Sequence, residues 1–377
     1  MKRAALSIIF LLGIFSPGIC ASTPEDALIK WIRRCGGTVD LDIATVNDEG
    51  LRGTVAVRDM NKSQIAVHLP AHLAVELGEG HVTSEENAIK LLRLQMQNQK
   101  WNQSMLPYWE SLPRVGASLT KQTYPAEPLD LLQDRTLAAS IVVHGAYTKN
   151  VYDGGKPSLV EDFQAEFPGV SYQTFSHLTS LVSSYAFLFP DEGGVARRMM
   201  LPLVDMMNHG DGSATNVEIM QADNGDLYAY TLREIAKGEE LVHEYNTGIA
   251  RNDQSLFHYG FVREHDPPRL VAQDMPAGNL YDPTFYTEDD YEFGGRLVTK
   301  AELARLEGIL RSFPTTERED AQILAGKSGG GWGSVLGGKM TLTPLERMFV
   351  KYRLLRKQAL AHIIQKLKDT LLITTEL

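Results

Sequence analysis

Leu201-Pro-Leu-Val-Asp-Met-Met-Asn-His209 is the stretch that decides the fold, together with Gly238-Glu-Glu-Leu-Val-His-Glu-Tyr245 and His258-Tyr-Gly-Phe261. The first stretch overlaps a strand predicted over residues 199–204, and the second contains one predicted over residues 240–244. Both segments are short, with a turn signal at Asp211-Gly212 after the first and at Lys237-Gly238 before the second. The polar and aromatic side chains of these stretches therefore follow directly on short strands.

More strands are predicted on either side of this pair. Residues 217–220 and 227–232 are separated by Asn224-Gly225, which is a strong hairpin signal. Near the start of the chain, residues 39–57 contain short apolar segments broken by turn residues, which predicts a hairpin or a small β-meander. Residues 62–69 alternate apolar and polar side chains and predict a further strand.

Helical patterns fill the middle of the chain. Ser84 is predicted to cap a helix, and residues 129–143 and 172–187 are expected to be helical. Residues 101–120 are aromatic and are expected to be irregular. Residues 80–190 therefore predict a helical block set between two β regions.

The C-terminal part predicts a long helix that begins at Thr343-Pro-Leu-Glu346, which combines a capping box with a proline at the first helical position. An apolar stripe follows at helical spacing: Leu345, Met348, Phe349, Tyr352, Leu355, Ala359 and Ile363. Such a stripe is typical of a core helix in a bundle, and it also fits a helix that binds a partner.

Length and charge limit the classes of function. The chain has 377 residues, which is comfortable for two domains. Its formal net charge of −10 argues against nonspecific binding of nucleic acid, which needs Lys and Arg to neutralise phosphate. An acidic surface favours a basic protein partner instead.

The N-terminus has the pattern of a secretory signal peptide over residues 1–21. Lys2 and Arg3 precede an apolar run from Ala4 to Phe15 that is too short to span a bilayer, and small residues for cleavage follow. An uncleaved membrane anchor is the alternative. After cleavage we expect no stable membrane insertion, because no later segment has the length of a membrane helix.

Cysteine usage bears on the compartment. Cleavage near Cys20 would leave only Cys35, so the mature chain would hold no disulfide, which is unusual for a large secreted protein. One explanation is that the endoplasmic reticulum is a stage on the route to a plastid.

Several chemistries are excluded by spacing. Gly326-Lys327-Ser328 lacks the earlier glycine and the preceding strand of a phosphate-binding loop. His209, His243 and His258 do not have the spacing of a zinc helix, and no serine lies in a Gly-x-Ser-x-Gly elbow. No metal is expected, and the residues by themselves do not name a reaction.

A family resemblance goes further. Asp205-Met-Met-Asn-His209, followed by Gly238-Glu-Glu, Tyr245, Asn252 and Tyr259-Gly-Phe261, resembles the C-terminal half of a SET domain. In that family the Asn-His segment is threaded under a later loop to make a pseudoknot.

The N-terminal half matches as well. Glu49-Gly-Leu-Arg-Gly53, continued by Thr54-Val-Ala-Val-Arg-Asp59, resembles the opening of a SET domain. Ser111-Leu-Pro113, the helical insert and the helical C-terminus resemble the Rubisco large-subunit methyltransferase branch, and the resemblance covers roughly residues 28–370.

The resemblance implies an α+β fold. A β-rich SET domain with a pseudoknot is expected over residues 25–265, interrupted by a helical insert at about 80–195. An all-helical domain that docks the substrate is expected over residues 266–377.

The resemblance also implies a protein methyltransferase that uses S-adenosylmethionine, with Tyr245 as the catalytic residue that orients the amine. It implies a cofactor site built from Glu49, Gly50, Leu51, Gly53, Tyr185, Asn208 and His209. It implies substrate contacts from Asp205, Tyr259 and Phe261. Within this set Asn208 would hydrogen-bond the methionyl group and the backbone at His209 would receive the adenine.

Two departures from the family pattern concern this site. Relatives of this branch carry Ser-Arg-Ala-Phe where this chain has Ser184-Tyr-Ala-Phe187, so that Tyr185 offers a hydrogen bond but no permanent charge. The segment from Asn246 to Arg251 also looks longer than usual, and it borders the expected acceptor channel.

Three functions stay open at this point. The leading one is an enzyme that methylates lysine in a non-histone protein and works as a monomer. A second is a protein-histidine methyltransferase, and a third is a degenerate SET domain that binds a protein without catalysis. Affinity for the cofactor separates the third from the first two.

Overall fold

The computed structural model describes residues 23–47, 50–117, 120–155, 159–191, 193–245, 251–276, 291, 295, 297–326 and 342–376. The chain divides into two compact units. The first unit comprises residues 1–118 and 147–248, and the second comprises residues 119–146 and 249–377. The predicted signal peptide and Glu49 lie outside the described residues.

The strands of the described part all belong to the first unit. They are β1 (Thr38–Val39), β2 (Leu41–Thr45), β3 (Arg52–Ala56), β4 (Ile65–Leu69), β5 (Val75–Glu79), β6 (Ala186–Pro190), β7 (Ala196–Met200), β8 (Asn208–His209), β9 (Val217–Gln221), β10 (Leu227–Thr231) and β11 (Glu240–His243).

The helices are α1 (Pro24–Arg34), α2 (Ser84–Gln97), α3 (Gln99–Ser104), α4 (Leu106–Ser111), α5 (Arg135–Tyr152), α6 (Phe163–Glu166), α7 (Tyr172–Tyr185), α8 (Asn252–Tyr259), α9 (Lys300–Ser312), α10 (Glu317–Leu324) and α11 (Pro344–Glu376). The class is α+β, as predicted. Among the described helices, none is long and apolar enough to cross a membrane.

The strands of the first unit form three small sheets, in the orders β1-β4-β10-β9, β2-β3-β11-β8 and β5-β7-β6. The predicted hairpins are confirmed. β2 and β3 pair antiparallel, and β9 and β10 pair antiparallel around Asn224-Gly225, where Gly225 has a φ of +81°. A positive φ suits glycine and explains why this residue stands at the turn.

One pairing in the second sheet has the opposite direction. β8 runs parallel to β11, with Asn208 opposite Val242 and His209 opposite His243. Parallel neighbours cannot be joined by a tight hairpin, so the chain travels through β9 and β10 between them. This pairing places the end of the first decisive stretch beside the second.

The core of the first unit is continuous from α1 to β11. Leu28, Val67, Leu92, Phe175 and Leu241 are all buried in it, so that the helical insert packs onto the sheets. The insert differs from the prediction at several points. Residues 129–132 form a short 3-10 helix separate from α5, and Ala186 and Phe187 begin β6 instead of ending a helix. Thr83, and not Ser84, caps α2, because Thr83 and Glu86 exchange the hydrogen bonds of a capping box. Residues 99–111 form α3 and α4 and are not irregular.

The second unit is built around α11, which begins with the predicted capping box between Thr343 and Glu346. Phe349 and Tyr352 pack in one apolar cluster of this unit, and Ala359 and Ile363 pack in another. The apolar stripe of α11 is therefore a core stripe, which confirms the first of its two interpretations.

Buried charges add to the core of the second unit. Asp320 of α10 accepts hydrogen bonds from Arg353 and Lys357 of α11, and all three side chains are at most 1% exposed. Burial of charge is tolerated here because both cations meet a carboxylate.

Candidate functional site

The junction of β3, β8 and β11 in the first unit collects many of the predicted site residues. The parallel register of β8 and β11 continues beyond the strands, since the Gly210 N–H donates to the His243 carbonyl at 2.9 Å. Asn208 and His209 are thereby placed next to the strand that leads to Tyr245.

Asn208 ties this junction to the predicted cofactor loop. Its Nδ2 donates to the Arg52 carbonyl at 2.9 Å and to Glu240 Oε1 at 2.8 Å. Both amide hydrogens are therefore used within the protein. The Oδ1 atom is left as the group with which this half-buried side chain can accept a hydrogen bond from a ligand.

Gly53 has no room for a side chain. A Cβ atom at this position would lie 2.5 Å from Glu240 Oε1 and 2.7 Å from Asn208 Nδ2. Glycine is required because the backbone of β3 approaches these polar groups so closely.

The turn before β3 has a different reason for its glycine. Gly50 has a φ of +83° and open space around it, which is the conformation of a turn. Leu51 follows with its N–H bonded to Asn47 Oδ1 at 2.9 Å, and its side chain is 49% exposed. The structure thus keeps Gly50, Leu51 and Gly53 at one edge of the junction.

Tyr245 is fixed at three points. Its hydroxyl donates to the Met207 carbonyl at 2.9 Å, and its backbone N–H donates to His209 Nδ1 at 3.0 Å. Its ring lies 5.1 Å from the ring of His209 and 4.9 Å from that of His243. Because Nδ1 of His209 accepts, the proton of the neutral ring is assigned to Nε2.

His243 was not predicted as a site residue. It is 6% exposed, its ring stacks on Phe187 at 5.2 Å, and Nδ1 lies 3.2 Å from the Glu244 carbonyl. Nδ1 is the donor in that contact, because a carbonyl only accepts, and within the described residues Nε2 has no hydrogen-bond partner.

Burial lowers the pKa of His243 to about 4, so the ring is neutral at physiological pH. The sequence signal that could have identified His243 is its position, because His243 and Leu241 share the inward face of β11.

Asp205 lies behind this junction in a buried turn. Its Oδ2 accepts a hydrogen bond from the Tyr108 hydroxyl, and Oδ1 has no hydrogen-bond partner in the described part of the chain. Burial raises the pKa of Asp205 well above its ordinary value, while the Tyr108 hydrogen bond and the charge of Arg52 act against that rise.

Tyr185 ends α7 beside Asp205. Burial, and then the Asp205 carboxylate, raise the pKa of Tyr185 to about 12, and the guanidinium of Arg52 opposes the shift. Tyr185 is therefore a neutral hydroxyl that lies close to a buried carboxyl group and to a guanidinium. Arg52 itself forms an ion pair with Glu25 of α1, with 2.9 Å between Nη1 and Oε1.

Tyr259 and Phe261 belong to the second unit. Tyr259 is the last residue of α8, Gly260 ends that helix with a φ of +76°, and the ring of Phe261 follows at 6.1 Å from that of Tyr259. Asn252 exchanges two hydrogen bonds of 2.9 Å with the backbone of Arg263, which holds this turn closed. Residues 246–250 of the long loop lie outside the described residues.

The comparisons with known proteins agree on the fold. The SET domain of LSMT bound to lysine and AdoHcy has a TM-score of 0.61 and 15% identity over 93% of this chain and 92% of that one. Rubisco LSMT bound to sinefungin and monomethyllysine has a TM-score of 0.61 and 16% identity over 93% of each chain. The chain therefore has the SET-domain fold, as the resemblance implied.

Sequence comparison gives a narrower match. The N-lysine methyltransferase setd6 of Salmo salar is 30% identical over 113 residues, which are 28% of this chain and 24% of that protein. The match thus spans about a quarter of the length of this relative. No model of a protein family matches the chain.

Proposed function

We propose that the protein is an S-adenosylmethionine-dependent protein-lysine N-methyltransferase that acts on a non-histone protein. The observation that carries this proposal is the parallel pairing of β8 with β11, which brings Asn208 and His209 against Gly53 on one side and Tyr245 on the other. The likeness to LSMT and setd6 supports it.

The residues present fit the cofactor. Asn208 offers an acceptor oxygen beside Gly53, and Arg52 offers a cation on the same strand, β3. The amino-acid end of the cofactor needs such a pair of groups. Its ammonium donates hydrogen bonds to an acceptor oxygen, and its carboxylate accepts them from a guanidinium. When bound, S-adenosylmethionine supplies an electrophilic methyl group on a sulfonium centre.

The protein's own part is to position a neutral amine. A free lysine has a pKa of about 10.4, and a desolvated aromatic surface lowers it because burial disfavours the ammonium form. The hydroxyl of Tyr245 uses its hydrogen on the Met207 carbonyl, so its oxygen remains an acceptor for an amine N–H. His209 and His243 flank that ring and restrict its orientation.

Transfer of a radiolabelled methyl group to proteins of a whole-cell extract tests the proposal. We expect label on protein with the wild-type enzyme and about 100-fold less with Tyr245→Phe, because small losses of alignment are costly in a displacement reaction. Thermal melting of both proteins is the control for folding. Equal labelling by the mutant would refute the role of Tyr245.

Hydrolysis of the labelled protein to amino acids separates the alternatives. Methyllysine supports the proposal, and label on histidine would move the enzyme to the protein-histidine class. A wild-type chain that binds neither S-adenosylmethionine nor S-adenosylhomocysteine in calorimetry would leave the degenerate SET domain as the function.

We also propose that residues 1–21 direct the chain into the secretory pathway, with a plastid reached through the endoplasmic reticulum as the destination, and that the enzyme works there as a monomer. Support comes from the charged and apolar pattern of that segment. A fluorescent fusion found in the medium would reject the plastid destination.

A further inference from the structure

Arg52, at the β3 edge of the junction, places a positive charge close to Tyr185. Tyr185 stands where the resemblance implies an arginine, and it contributes a neutral hydroxyl next to the buried Asp205. A carboxylate ligand at this place would find no positive charge on α7 to pair with. The guanidinium of Arg52 lies close to the Tyr185 hydroxyl and to Asp205.

Arg52 is well held at its backbone. It begins β3, its carbonyl accepts the Asn208 amide at 2.9 Å, and it directly precedes Gly53, where the side chains of Glu240 and Asn208 fill the space that a Cβ would need. The residue therefore cannot shift along the strand without breaking the contact that positions Asn208.

The side chain of Arg52 is accessible as well as placed. It is 34% exposed, and one of its terminal nitrogens is 2.9 Å from Glu25 Oε1. A guanidinium carries five N–H donors, so this ion pair leaves others for a second acceptor. Ion pairs with this degree of exposure are weak, and an incoming carboxylate can share or replace Glu25.

We propose that Arg52 takes over the task of the missing arginine and donates hydrogen bonds to the carboxylate of the cofactor's methionyl end, while Asn208 Oδ1 accepts from its ammonium. This inference rests on the proposed function. It assigns the recognition of one zwitterion to two residues joined by the hydrogen bond from the Asn208 amide to the Arg52 carbonyl. Tyr185 is left as a neutral side chain close to Arg52 and Asp205.

Calorimetry with two ligands tests the assignment. S-adenosylhomocysteine carries the amino-acid end, whereas 5′-methylthioadenosine has the same adenosine and thioether without it. For Arg52→Gln we expect about 10- to 100-fold weaker binding of S-adenosylhomocysteine, as for the loss of charge-assisted hydrogen bonds. Binding of methylthioadenosine should stay within about two-fold of wild type, since no charge-assisted bond is lost.

Two variants separate this role from a structural one. Glu25→Gln removes the same ion pair but keeps the guanidinium, so S-adenosylhomocysteine should bind at least as tightly as to the wild type. Tyr185→Arg added to Arg52→Gln should recover part of the lost affinity for S-adenosylhomocysteine alone.

The results that would contradict this inference differ from those that would contradict the proposed function. Equal weakening of both ligands by Arg52→Gln, or the same loss in Glu25→Gln, would make Arg52 a structural residue and overturn the inference while cofactor binding stands. Unchanged affinity in Arg52→Gln would overturn it as well. A wild-type chain that binds neither ligand would remove the proposed function and this inference with it.

Discussion

The backbone N–H of Tyr245 donates to Nδ1 of His209 at 3.0 Å, which joins the ends of the two stretches that decide the fold. The bond lies next to the parallel pairing of β8 with β11, in which His209 is opposite His243. It also fixes the tautomer of His209 and orients the Tyr245 ring at 5.1 Å from it. A hydrogen bond from the Tyr245 backbone to the His209 side chain thus helps to set the direction of the proposed catalytic hydroxyl.

Replacing His209 with Phe should therefore reduce activity through Tyr245. The change keeps a flat ring but removes the acceptor of the Tyr245 N–H, which costs about 1 kcal/mol of unfolding free energy. We expect about ten-fold lower methyl transfer because the hydroxyl loses alignment. His209→Asn, which keeps an acceptor oxygen, is the matched control and should lose less. Wild-type turnover in His209→Phe would contradict the positioning role.

Replacing Gly53 with Ala should disrupt the loop that Asn208 holds. The added Cβ would lie 2.5 Å from Glu240 Oε1 and 2.7 Å from Asn208 Nδ2, so one of these groups must move. Overpacking of this kind costs about 1–3 kcal/mol, and binding of S-adenosylhomocysteine should weaken at least ten-fold by roughly the same free energy.

The matched control for Gly53→Ala is Gly308→Ala. Gly308 lies within α9, and a Cβ there would meet nothing within 4 Å. Alanine is the better helix former, so this variant should gain about 0.5–1 kcal/mol of stability and leave binding unchanged. Both free energies are measured by denaturant unfolding. A Gly53→Ala protein as stable as wild type would show that the junction can relax.

Much of the β-structure could be predicted from the sequence because its signals are local. Asn224-Gly225 determines a hairpin by turn chemistry, and alternation of apolar residues marks β4 and β10. The cap of α2 could also have been predicted, since Thr83-x-x-Glu86 is a complete capping box, whereas Ser84 has no such partner in the structure.

The proximity of Arg52 to two predicted site residues, Tyr185 and Asp205, could not be predicted because it depends on contacts between distant segments. The three residues are far apart in the sequence, and only the packing of α7 and β3 against the buried turn brings their side chains together. No periodic pattern in the sequence indicates that these side chains lie close together. His243 was overlooked because zinc spacing was the only chemistry considered for it, although its inward position on β11 was visible as an alternation.

His243 should make stability depend on pH. Its pKa is about 4 in the folded protein, below the value of about 6.5 for a free histidine, because burial disfavours its charge. The folded state therefore binds fewer protons than the unfolded state between these values. The stabilisation is complete above about pH 6.5 and is lost as the pH falls through the window towards 4.

The measurement is denaturant unfolding between pH 4.5 and 7.5 for wild type and His243→Phe. The difference in unfolding free energy between the two proteins should shift in favour of the mutant at the acid end, by up to about 3 kcal/mol. His177, whose pKa is also lowered by burial, is present in both proteins and cancels. Parallel curves for the two proteins would contradict a neutral, buried His243.

The buried ion pairs of Asp320 should contribute strongly to the stability of the second unit. Its carboxylate is fully buried and meets both Arg353 and Lys357, so Asp320→Asn leaves two buried cations with one neutral amide between them. Removing one partner of such a buried network costs about 3–5 kcal/mol, because the desolvated charges lose their compensation. The exposed pair of Arg311 with Glu307 is the control: Arg311→Met should change the unfolding free energy by less than about 0.5 kcal/mol. Equal effects of the two substitutions would mean that the carboxylate of Asp320 contributes no more than a surface charge, and that α10 is held to α11 by apolar contacts alone.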